Sequence, residues 1–170
     1  MGLAKGSAAV LLTLALAMNA GGAGAGPLNF RPDMQIKKGA EPNYAGDDVY
    51  LPTAQTKSVR LARGKMIAFG VRAQNDGTII DDYYLMGCSS SRGFIVSYFH
   101  AGMNITNMMT SNAGHNTEEL QPDATYDILM RIKVRKNADS GARKSCKVVA
   151  PSLQADPILR DAVVGKVTVK

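Results

Sequence analysis

The chain has 170 residues, a formal net charge of +6, and is 45% hydrophobic and 20% charged. That length suits one domain with one core. With no Trp and only 6% aromatic residues, and with its cations dispersed as RLARGK (60–65), RIKVRK (131–136) and ARKSCK (142–147), it lacks the focused charge and stacking rings of a nucleic-acid binder.

The N-terminus reads as a signal peptide over residues 1–25. Lys5 supplies a short positive region, residues 8–18 (AAVLLTLALAM) an apolar run, and Ala23-Gly24-Ala25 a small-residue cleavage pattern. The run is too short to span a bilayer, so no membrane span is expected after cleavage. No Cys sits nearby to carry a lipid anchor. The expected location is therefore secreted or cell-surface. Cys88 and Cys146 are the two cysteines, and an even pair in an oxidising compartment suggests one disulfide between them. The expectation places them on neighbouring strands of one sheet. Closing so long a loop stabilises the fold by roughly 3–4 kcal/mol in the chain-entropy account.

Residues 26–56 are punctuated by Pro27, Pro32, Pro42 and Pro52, which predicts an irregular segment holding one edge strand over 33–37. From residue 57 onward the spacing predicts a sandwich core, 57–170. Val59, Leu61, then Met66 and Ala68 or Ile67 and Phe69, then Val71 and Ala73 recur with period two. Asn75-Asp76-Gly77 is a turn signal, since Asn and Asp tolerate positive φ and Gly accepts it freely. Residues 82–87 alternate again, 89–93 (SSSRG) turn, and 94–99 (FIVSYF) form a β-rich run. Asn112-Ala113-Gly114 breaks the chain. Tyr126, Ile128, Met130, Ile132 and Val134 then share one face, the cleanest alternation present. After a turn over 137–141, strands are expected at 145–150 and 162–169. No window of twelve residues shows a helical stripe; only 154–164 offers room for a helical turn, limited by Pro157. Seven or eight short strands with turns between them predict an all-β, two-sheet antiparallel sandwich.

Several features in order carry a resemblance: Pro32-Asp33, residues 44–50 (YAGDDVY), Gln55-Thr56-Lys57, residues 74–77 (QNDG), Asp81 or Asp82 before an aromatic, residues 94–99, Asn104-Ile105-Thr106, Leu120-Gln121-Pro122 and Asp161-Ala162-Val163. Together they resemble the immunoglobulin-like (NEW3-type) β-sandwich repeat of bacterial secreted and cell-surface proteins. The resemblance implies the fold and an accessory or spacer role. This chain, as a single unit behind its own signal peptide, departs from the tandem arrangement of that family.

Candidate sites are few. Asp76, Asp81 and Asp82, with Asp47 and Asp48 from a second loop, form a calcium candidate. The acids lack the alternate-position spacing of an EF-hand loop, however, and a plain turn explains them. His100, Met103, Met108, Met109 and His115 offer soft donors suited to copper, especially Cu(I), while Met also fills irregular core gaps. For catalysis there is no G-x-S-x-G and no phosphate-cradling Gly loop, and adjacent Glu118 and Glu119 would point to opposite faces of a strand. A non-enzymatic protein without a cofactor is expected. One ring from Tyr83 and Tyr84, and one from Tyr98 and Phe99, would face outward as a small aromatic patch. The expected role is an exported structural, adhesive or binding module. Its partners would be an envelope polymer or protein, or a second copy met through an edge strand such as the one near Met34. The alternative is an extracytoplasmic copper binder.

Overall fold

A computed structural model describes residues 29–49, 55–155 and 159–170. The signal-peptide reading over 1–25 lies outside them. The described chain forms strands β1 (Pro32–Lys38), β2 (Gln55–Leu61), β3 (Met66–Asn75), β4 (Tyr84–Leu85), β5 (Phe94–His100), β6 (Met103–Asn104), a single helical turn α1 (Thr106–Met109), β7 (His115–Asn116), β8 (Thr125–Val134), β9 (Arg143–Pro151) and β10 (Arg160–Val169).

Two sheets pack face to face as an immunoglobulin-like sandwich. Sheet A has the order β1-β3-β8-β5-β6 and sheet B the order β2-β10-β9, with β4 paired to β7 beside them. All pairings are antiparallel except one: β2 runs parallel to β10, with Leu61 beside Val169. No hairpin joins these two strands, so nothing local forces them antiparallel. The only described helix is α1, after β6, where Thr106 N–H is accepted by Asn104 Oδ1 at 3.0 Å. Of residues 154–164, the stretch with room for a helical turn, 160–164 belong to β10, and 156–158 lie outside the described residues.

Burial follows the period-two pattern. In β8, Ile128, Met130, Ile132 and Val134 are buried and the residues between them are not. Met34 and Ile36 of β1, Phe69 and Val71 of β3, Tyr98 of β5 and Val148 of β9 complete one core. The expected aromatic alternation holds: Tyr83 and Tyr98 are fully buried, Tyr84 is exposed and Phe99 half-buried. Side chains bury about 1.5–3 kcal/mol each for residues of this size, which is what holds the sheets together.

Strand edges are capped from within. β1 is an edge of sheet A, but the outward amide of Met34 donates to Asp161 Oδ2 at 2.7 Å. Its Ile36 exchanges both backbone hydrogen bonds with Ala45. On β5, Val96 N–H donates to Ser90 Oγ at 2.9 Å and Tyr98 N–H to Thr106 Oγ1 at 2.9 Å. Part of the β9 edge is covered by Met86, which exchanges both hydrogen bonds with Val149.

Cys88 and Cys146 are disulfide-bonded, with Cα atoms 5.2 Å apart across a sequence separation of 58. Cys146 lies on β9, but Cys88 lies in the loop after β4, not on a neighbouring strand. The bond therefore pins a loop onto sheet B. Tyr98, from sheet A, reaches it: its Oη donates to the Cys88 carbonyl and lies 3.0 Å from Cys146 Sγ. Gly87 makes room for this ring, since a Cβ there would collide with Tyr98 Oη and Cζ.

Candidate functional site

The acidic residues read as a calcium candidate are placed as follows. Asn75 shapes the turn: its Oδ1 accepts Gly77 N–H at 2.9 Å, and its Nδ2 donates to the carbonyls of Ile79 and Leu120. Asp81 is turned inward, where its Oδ1 accepts from Ser152 Oγ and from Asp82 N–H, each at 2.8 Å. Burial raises its pKa. Asp82 points the other way and accepts from Gln154 and Asn116. Asp47 sits on the exposed loop after β1 and accepts from Gln35 Nε2 at 2.7 Å, with Asp48 beside it. Among the described residues, no group of three or more His, Cys, Asp or Glu is placed to hold a metal ion. Asp47 and Asp48 thus lie on an exposed loop and Asp76 is half-buried, while Asp81 faces inward and Asp82 outward because adjacent residues in extended backbone face opposite ways.

The copper candidates split as well. His100 stacks on Tyr126, ring centroids 3.9 Å apart, and His115 Nε2 lies 2.7 Å from Tyr126 Oη. The two imidazoles, fifteen positions apart in sequence, therefore meet through one phenol ring. Burial, then the neighbouring His100, lowers the pKa of His115. Met103 faces His100 across the β5–β6 hairpin and is 63% exposed, and Met108 is 52% exposed. Met109 is 0% exposed and belongs to the core, so its thioether is not offered beside the imidazoles.

Two surfaces that no local motif marks are built by the sheets. The first is the outer face of sheet B. Register places Arg60, Thr168 and Arg143 in one row, Ser58, Lys166 and Ser145 in the next, and Val164 with Lys147 in a third. Arg160 follows further along β10. All five cations are exposed, and none makes an ion pair among the described residues. Asp161, the one acid on these three strands, faces inward and is buried. The alternation in ARKSCK marks a wet face; that it joins Arg60 and Lys166 in one field depends on pairing β2 and β10 across the length of the chain.

The second is a groove of about 340 Å³ on the outer face of sheet A. Its floor is Gly70 on β3 and Leu129 on β8, and its flanks are Tyr44 and Phe99. Lys37 Nζ lies 4.5 Å from the Tyr44 ring centroid, Arg72 4.4 Å from the same ring, and Arg131 4.4 Å from the Phe99 ring. Arg72 holds Asp127 through two hydrogen bonds of 2.8 and 3.0 Å. Tyr44 comes from the Pro-rich segment read as irregular, and no sequence signal ties it to Gly70.

No family model and no curated protein matches the sequence. Distant structural likenesses exist. The secreted serine protease VesC of Vibrio cholerae is 9% identical, with 68% of this chain and 22% of that one covered and a TM-score of 0.43. The chain thus spans about a fifth of VesC. A FixG-related protein of Vibrio parahaemolyticus is 7% identical, with 82% and 96% covered and a TM-score of 0.44. The ASH / PapD-like domain of human CEP192 is 8% identical, with 98% and 96% covered and a TM-score of 0.38.

Proposed function

We propose that this protein is an exported, non-catalytic binding module that attaches to an anionic polymer of the envelope or extracellular space through the outer face of sheet B. One observation carries the reading: Arg60, Arg143, Lys147, Arg160 and Lys166 share an exposed face on which the described residues of β2, β9 and β10 place no outward acid. Neighbouring strands lie about 4.8 Å apart and alternate residues about 6.7 Å apart along a strand, so the cations form a flat lattice. Ser58, Ser145 and Thr168 add hydroxyls between them. Each exposed contact is weak, but a polymer meets several at once and the summed field raises its local concentration.

Ala162 and Val164, the apolar residues of β10 on this face, are buried within it. A hydrated polyanion suits such a surface better than an apolar one does. The disulfide supports an oxidising compartment. No described helix is long and apolar enough to cross a membrane. The non-catalytic reading is supported by the two imidazoles, whose hydrogen bonds go to Tyr126 and the Asp127 carbonyl and not to a Ser, Thr or Cys nucleophile.

The test is retention on immobilised dextran sulfate or alginate across a salt gradient. The variant Arg143→Glu/Lys147→Glu/Lys166→Glu is expected to elute at much lower salt than the parent. A control with the same charge change elsewhere, Lys65→Glu/Lys133→Glu/Lys136→Glu, is expected to stay close to the parent. Equal loss in both variants would show that net charge alone matters and would overturn the assignment of the face.

A further inference from the structure

We propose that the groove over Gly70 is a second, separate binding site that takes a single acidic sugar unit, a pyranose ring bearing a carboxylate. It lies on the opposite sheet from the basic face and does not rest on that reading.

Three features of the groove select this chemistry. First, its charge is cationic and unspent: Asp127 is already engaged by Arg72, while Lys37 and Arg131 make no ion pair among the described residues. Both cations are held against rings, which fixes their heads at the groove instead of leaving them free in solvent. A carboxylate entering the groove meets two donors whose side-chain freedom is already reduced. Second, part of the lining is apolar, from Leu129 and the Phe99 ring. That suits the C–H face of a pyranose and gives a small inorganic anion nothing to pack on. Third, the partly exposed Asp127 carboxylate remains at the rim as an acceptor for sugar hydroxyls. The volume of about 340 Å³ lies at the lower end of the range for small-molecule sites.

The backbone around the groove is specialised. Gly70 sits mid-strand, where any residue is tolerated by the backbone. A Cβ there would nevertheless come within 3.0 Å of Lys37 Cγ and Cε and 3.1 Å of Tyr44 Oη. Glycine is what lets Lys37 and Tyr44 lie close over the strand, where they form the wall of the groove. At the far rim, Ala101 adopts φ +47° and Gly102 φ +82° in the two-residue turn between β5 and β6. Positive φ at both residues is what this tight two-residue turn requires.

The experiment is an amide-resolved NMR titration of the whole folded protein with D-glucuronate, D-glucose and acetate in turn. Glucuronate is expected to move the amides of Gly70, Leu129 and Ala101 with saturation. Glucose and acetate should each bind at least tenfold more weakly, because each lacks half of the recognised chemistry. Gly70→Ala and Arg131→Gln should each weaken glucuronate at least tenfold while keeping the parent's dispersion of amide signals elsewhere. Lys166→Glu on the opposite sheet should leave it unchanged. Acetate binding as well as glucuronate, or glucuronate shifts outside the groove, or full binding by Gly70→Ala, would each overturn the proposal.

Discussion

The Asp161 carboxylate accepts the backbone N–H of Met34 through Oδ2 at 2.7 Å and that of Ala162 through Oδ1 at 2.7 Å. A side chain from the start of β10 in sheet B thereby occupies the outward amide of the edge strand in sheet A. An incoming strand would have to displace it. Asp161 thus competes for the amide that strand pairing near Met34 would use, a device by which sheets disfavour edge-to-edge pairing.

Asp161→Ala removes this plug and leaves two buried amides without their acceptor. The expected cost is about 2–4 kcal/mol, since an unsatisfied buried group loses its full solvation. The variant should also self-associate. Denaturant melts and size exclusion at rising concentration measure the two effects, and a stable monomer would show that the edge is protected by other means.

The opposite edge gives a parallel case. Ser90→Ala and Thr106→Val each strip the acceptor from one outward amide of β5, at Val96 and Tyr98 respectively. A loss of about 1–2 kcal/mol is expected for each. The sites are separate, so the double variant should lose close to the sum of the two. Amide exchange at Val96 and Tyr98 should accelerate in the matching variant only.

Stability should fall as pH rises from about 4 to about 7. Burial is the main cause lifting the pKa of Asp33 to about 7, partly offset by the hydrogen bond from Gln35 and reinforced by nearby Asp76, Asp161 and Asp47. Its Oδ2 accepts from Gln35 Nε2 at 2.7 Å, while its Oδ1 is buried with no described partner. The folded state then holds a proton that the unfolded chain releases near pH 4, so stability is greatest below that pH and drops until the carboxyl ionises in both states. Asp81 and Asp161, also raised mainly by burial, act with the same sign. Asp33→Asn should flatten the slope and stabilise the protein above pH 7 by on the order of a few kcal/mol. Thermal melts from pH 4 to 8 test this; an unchanged slope would assign the dependence elsewhere.

The disulfide and the ring beside it should act as a unit. Removing the bond as Cys88→Ala/Cys146→Ala should cost about 4 kcal/mol for a loop of this length. Gly87→Ala, which forces a methyl against the buried Tyr98 hydroxyl, should cost about 1–3 kcal/mol by overpacking. Because both disturb the same contact, Gly87→Ala should cost less in the disulfide-free background than in the parent. Equal costs would mean that Gly87 acts independently of the bond.

The strands were largely legible because burial writes itself into alternation. Ile128, Met130, Ile132 and Val134 are readable as one face since adjacent strand residues must point to opposite sides. The same rule predicted one ring inward from each aromatic pair. The cysteine pairing was legible too, from there being only two. What was not legible was Cys88 lying in a loop or β2 running parallel to β10, because each follows from a neighbour distant in sequence, and the turn of helix at 106–109, because four residues are too short to show a helical stripe.

The candidate surfaces divide in the same way. Hydropathy places Lys147 and Lys166 on wet faces and Met130 in the core, and residue chemistry places a turn at Asn75. Only the packed sheets decide that Arg60 joins Lys166 and Arg143, that Tyr44 folds over Gly70, and that His100 and His115 share Tyr126. Period and polarity are properties of a strand by itself. Which strands become neighbours is chosen by the free energy of the whole core, and the surfaces where ligands would meet this protein are made by that choice.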